Sequence, residues 1–132
     1  MEILTTNWPH GVIGIDVVTG NVRPVCSFNA WHPMIDRTGT LMVADTKFPD
    51  IGIQLFNPLD GSGEPRFLCL SDSTNVGDHW EIDHCPYDDG PVEVYAPQHT
   101  HPHPNFSPDG SRIVFTSDRT GHSQLYEVEV PV

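Results

Sequence analysis

The chain has 132 residues, enough for one ordinary domain, with a formal charge of −12 and as many as 13 prolines and 11 glycines. That charge argues against nucleic acid, which needs a basic footprint, and it means that any polyanionic ligand needs a local positive site. No stretch approaches the apolar length of a membrane span, Glu2 without a basic region is no signal peptide, and cysteines at 26, 69 and 85 lack disulfide-framework spacing, so a cytoplasmic protein without a membrane partner is expected.

In chain order, the first strands expected are 12–18 and 22–26, joined by the turn Thr19-Gly20-Asn21. A strand over 30–35 contains His32-Pro33, and Gly39 follows in a turn. Leu41-Met42-Val43-Ala44 marks a strand over 40–45. Strands over 51–56 and 65–70 flank the turn Asp60-Gly61-Ser62-Gly63. Residues 71–97 are rich in acid (Asp72, Asp78, Glu81, Asp83, Asp88, Asp89, Glu93), fit no strand pattern and read as a solvated insertion. Strands over 103–107, 111–116 and 123–130 close the chain, with turns at Ser107-Pro108-Asp109-Gly110 and Asp118-Arg119-Thr120-Gly121.

The pattern repeats. His32-Pro33 stands seven residues before Gly39, as His103-Pro104 stands seven before Gly110. Four-stranded units of about 40–50 residues around an axis are β-propeller blades. The fold class expected is therefore all-β, built of roughly two and a half blades. Residues 1–26 are the end of a blade without its inner strands, and 27–70 are a full blade. After the 71–97 insertion, 98–132 form a last blade lacking its outer strand. Uncovered edges would favour self-association, and the chain reads as the C-terminal part of a longer propeller or of a truncated gene.

Residues 98–104 read Gln-His-Thr-His-Pro-His-Pro. In a strand of period two, His99, His101 and His103 leave the backbone on one side. Pro102 and Pro104 cannot donate to a ladder, which places the segment at an edge or a strand start. Neutral imidazoles on one rigid segment are the donor type for a divalent transition metal. His32 occupies the matching point of the neighbouring blade, so His32 and His103 should face the channel at one height. His79, His84 and His122 read as solvated, and His84-Cys85 lacks the second pair a zinc site needs.

His-Pro-x-Phe-Ser-Pro-Asp-Gly, followed by a hydrophobic strand and Thr-Ser-Asp-Arg-x-Gly, resembles the TolB-like propeller repeat. Gln98 to Pro104, with His32 and the stretch Gly39 to Asp45, resembles the C-terminal third of oligogalacturonate lyase, polysaccharide lyase family 22. The resemblance implies a seven-bladed propeller that degrades pectin fragments by β-elimination, with oligogalacturonides as partner. It implies a divalent metal, usually manganese, held by three histidines and a glutamine, which match His32, His101, His103 and Gln98 here. The family's catalytic base lies on a strand that would precede residue 1, so no catalytic residue is carried over, His10 included. The chain alone is expected to be inactive or nearly so.

Trp31, beside His32, is the best of the three tryptophans for stacking on a sugar ring, with packing at the blade start as its simpler role. Arg37 is the arginine carried forward for a substrate carboxylate, although surface pairing is the simplest role for Arg37, Arg66, Arg112 and Arg119 alike. The competing function is a non-catalytic TolB-like propeller fragment for protein interaction.

Overall fold

In the structure, a computed structural model, residues 1–59, 63–74 and 100–131 are described. They form ten strands and, among the described residues, no helix. Strands β1 (Glu2–Thr6), β2 (Val12–Asp16) and β3 (Val22–Cys26) make the first sheet. The second has four strands, β4 (Met34–Ile35), β5 (Met42–Ala44), β6 (Ile53–Phe56) and β7 (Arg66–Cys69). The third has β8 (Asn105–Phe106), β9 (Arg112–Ser117) and β10 (Gln124–Glu129). Within each sheet successive strands pair antiparallel, the meander of a propeller blade.

The all-β blade architecture is as the repeat implies. Two local features differ. β1 is a strand that the sequence reading does not contain; Glu2 to Thr6 pairs with Asp16 to Val12 along its whole length, so the first sheet has an inner strand. The inner strands β4 and β8 are two residues each, and the histidine segments before them are not strand.

The two His-Pro…Gly units share a turn and its backbone hydrogen bonds, Asp36 N–H to the Leu41 carbonyl and Ser107 N–H to the Arg112 carbonyl at 2.9 Å each, and differ in the side chains that cap it. Gly39 and Gly110 have φ of 76° and 75°, with open space where a Cβ would sit, so glycine is there for its backbone alone. In the earlier turn the Asp36 carboxylate accepts from the Thr40 and Leu41 N–H groups at 3.0 and 3.1 Å. In the later one Ser107 Oγ accepts from Arg112 N–H at 3.0 Å and donates to Asp109 at 2.6 Å.

In the middle sheet β5 and β6 are buried on both faces, which explains why their sequence does not alternate. Met42, Ala44 and Phe56 face the first sheet and pack with Val12, Val25 and Cys26. Val43, Ile53 and Leu55 face the third and pack with Ile113 and Phe115. β9 is buried at every second residue, and the outer β10 is only half covered.

Both inner strands carry a bulge just before they start. In the middle sheet Met34 pairs with Val43, but Ala30 bridges Thr46, so the inner segment holds one extra residue. In the third sheet Asn105 pairs with Val114, yet Thr116 N–H donates to the Pro102 carbonyl, the same one-residue slip. His32 and His103 sit at these slips. A bulge turns side chains away from the alternation of a regular strand, and it recurs beside functional sites.

Candidate metal centre

The bulges bring three imidazoles together. One ligand nitrogen each from His32, His101 and His103 fits within 4.8 Å of the others. The His32 and His103 rings stack at 3.7 Å, and His101 lies 5.5 Å from His32 and 5.8 Å from His103 between ring centroids. Metal–nitrogen bonds of about 2 Å hold ligand atoms around one ion within roughly 4 Å of each other, so small side-chain rotations would close this cradle. The strand-parity route to this cluster is corrected by the structure. His103 has φ of 43°, outside the extended region, and its N–H leaves the ladder for the Asp45 carboxylate at 3.3 Å. Pro102 and Pro104, with no N–H, leave that stretch short of ladder bonds, and the bulge follows.

His101 and His103 are poised as neutral donors. Burial, aided by His32, Lys47 and His103, lowers His101 from its usual value to about 4. Burial and His32 also lower His103. A metal ligand must be unprotonated, so both shifts favour coordination near neutral pH.

Two residues that sequence reasoning gave no role surround the cluster. Asp45, 2% exposed, accepts from the His32 N–H at 2.8 Å and bonds His32 Nδ1 at 2.7 Å. Lys47, also buried, holds its Nζ 4.5 Å above the Trp31 ring, and burial lowers its proton affinity. The visible signal was a charged pair flanking Thr46 directly after the apolar run 41–44, where a solvated turn would be ordinary.

Trp31 stacks on His32 at 4.7 Å and tilts against His101 at 4.9 Å. It also lines a cleft of about 390 Å³ with Thr6, Pro33, Met34, His103 and Pro104, one wall of which comes from β1. Arg37 lies elsewhere, in the exposed turn after β4, where its guanidinium reaches the Pro108 carbonyl at 3.5 Å. Arg119 is no simple surface pair: it donates to the Leu70 and Ser71 carbonyls at 2.8 and 2.7 Å, tying the middle blade's end to the third. Arg112 does pair at the surface, with Glu127 at 2.6 Å. His10 and His122 are exposed. Gln98 and His99, with His79, His84, Cys85 and nearly all of the 71–97 insertion, lie outside the described residues.

Residues 5–132 match the family model for oligogalacturonate lyase. The chain belongs to the oligogalacturonate lyase family. It is 33% identical to an oligogalacturonide lyase of Pectobacterium atrosepticum, over 83% of this chain and 26% of that protein. An oligogalacturonate lyase of Dickeya dadantii is 32% identical, over 91% of this chain and 30% of the relative. The chain thus spans under a third of the curated relatives it matches. A solved oligogalacturonate lyase in complex with manganese superposes with a TM-score of 0.64 at 29% identity, over 91% of this chain and 28% of that one. TolB from Acinetobacter baumannii, at TM-score 0.56 and 17% identity over 97% of this chain and 26% of its own, shares the propeller fold.

Proposed function

We propose that this segment holds the divalent-metal site of a lyase that cleaves oligogalacturonides by β-elimination, with His32, His101, His103 and Gln98 as protein ligands and manganese as the metal. The observation that carries the reading is the convergence of His32, His101 and His103 in a chain of this family. The manganese assignment leans on the solved relative, since three imidazoles alone also suit zinc or iron. Gln98, which would add a harder oxygen donor, is carried by the family resemblance.

The chemistry suits the substrate class. β-Elimination takes the C5 proton beside a uronate carboxylate and expels the O4 leaving group. A bound divalent cation would neutralise that carboxylate and stabilise the enolate-like charge. In a chain of net charge −12, the metal is also the positive site that an acidic sugar needs. The cleft beside Trp31 and His103 is the seat proposed for the sugar ring. Removal of the C5 proton is assigned to none of the residues named here.

Calorimetric titration of the chain with Mn2+ tests the site directly. One saturable site, lost in His32→Ala, is the expected result; no saturable binding by the unsubstituted chain would overturn the assignment. Growth of the unsaturated-uronide absorbance with oligogalacturonate and Mn2+ tests the reaction, with a full-length relative alongside.

A further inference from the structure

The middle and last blades share a His-Pro bulge, a glycine turn and an apolar second strand, and they part again where that strand ends. Asp45 closes that run in the middle blade. The residue at the same place in the last blade is Thr116, whose N–H bonds the Pro102 carbonyl. At that place the last blade therefore carries no carboxylate. The His103 N–H instead crosses to Asp45 Oδ2, the same oxygen that meets His32 Nδ1. One buried carboxylate thus serves both bulged histidines.

We infer that Asp45 is the positioning residue of this site: it holds His32 with the proton on Nδ1, leaving the Nε2 lone pair for a ligand, and it anchors the His103 backbone across the blade boundary. A carboxylate only accepts hydrogen bonds, so with Asp45 as a carboxylate the 2.7 Å contact has Nδ1 as its donor. A free histidine side chain in water favours the proton on Nε2, the tautomer that would point its lone pair the wrong way. The second oxygen, Oδ1, takes the His32 N–H at 2.8 Å, and the Asp45 carbonyl takes the Trp31 N–H at 2.9 Å. The bulge, the ring and its neighbour in the next blade are thus tied to one side chain. Carboxylate–histidine pairs of this kind fix ring orientation at metal sites.

The value of Asp45 to a metal rests on the proposed function, but its hold on His32 does not, and the experiment separates the two. Two-bond proton–nitrogen NMR of the metal-free full chain at pH 7.5 reads the His32 tautomer without any substitution. The expected result is His32 with its proton on Nδ1; a predominant Nε2–H form overturns the inference. In Asp45→Asn the amide can still accept, but its charge is gone, so the Nε2–H form should become populated. Mn2+ affinity should then fall about 10–100-fold, the usual effect of losing such a partner. An Asp45→Asn chain that keeps both tautomer and Mn2+ affinity would sink the inference. If the unsubstituted chain shows the Nδ1–H form and binds no Mn2+, the metal assignment fails and the role of Asp45 in setting His32 stands.

Discussion

The middle and last blades share one frame and differ in what they mount on it. Both begin with a bulge at a His-Pro pair, both turn at a glycine of positive φ, and both follow with an apolar strand. The middle blade has Ala30 where the last has His101, and Asp45 where the last has Thr116. One blade gives a single imidazole and the carboxylate behind it; the other gives two imidazoles and, at the carboxylate's place, a threonine. The shared His-Pro bulges supply His32 and His103, and the unshared His101 and Asp45 complete the candidate site where β4 packs against β8.

The sharpest break of this division is to remove an imidazole. His103→Ala should lower Mn2+ affinity by more than about 100-fold, beyond what an outer partner costs. His122→Ala, at an exposed turn of the same blade, should leave it unchanged. Equal losses in both variants, measured calorimetrically, would mean that binding is diffuse and the cluster is not the site.

The frame was legible in the sequence because it repeats. Two copies of His-Pro…Gly with β-branched strands leave little choice of fold. β1 escaped because Glu2-Ile3-Leu4-Thr5-Thr6 has no second copy in the chain and no turn glycine before it. The nearness of His32, His101 and His103 could be expected from blade equivalence, but the reason given, alternation along a strand, is not the one the backbone uses. A bulge leaves no period-two signature, so the φ of 43° at His103 could not be read from spacing. Asp45 stood in plain view. Its role depends on a contact with His103 in the next blade, and no local pattern reports that.

Burial separates the same two blades energetically. Val43 in β5 and Val114 in β9 hold matching places, yet Val43 is fully buried between sheets while Val114 is half covered. Val43→Ala should cost on the order of 2 kcal/mol, from lost burial and the cavity left behind. Val114→Ala should cost less than about half of that, since its surroundings include solvent. Urea unfolding at constant slope reads the difference, and equal costs would show that the third sheet is as deeply covered as the second.

The histidines of the last blade should also make the metal-free chain sensitive to mild acid. Above pH 6.5 His101 is neutral both folded and unfolded. Between 6.5 and about 4 the unfolded chain takes the proton and the folded one does not. Stability is therefore lost as pH falls through that window, and His103 acts in the same direction. For a partly exposed ring the loss should be on the order of 1–2 kcal/mol. His101→Phe should flatten the slope of the urea midpoint between pH 6.5 and 4, and an unchanged slope would place the acid sensitivity elsewhere.

The smallest effects belong to the arginines, and they divide by what each guanidinium meets. Arg119 donates to the Leu70 and Ser71 carbonyls and lies 5.0 Å from the Tyr126 ring, so it joins two blades through groups that water would otherwise have to satisfy. With its side chain 33% exposed, Arg119→Ala should cost about 1 kcal/mol, below the full strength of charged hydrogen bonds. Arg112 pairs with Glu127 on the outer strand, with the two side chains 49% and 59% exposed. Such a pair gains little over hydration and is screened by salt. Arg112→Ala should leave the unfolding midpoint where it was at physiological ionic strength. A clear loss there, removed by 1 M salt, would show that the acidic surface of the last blade depends on this one cation.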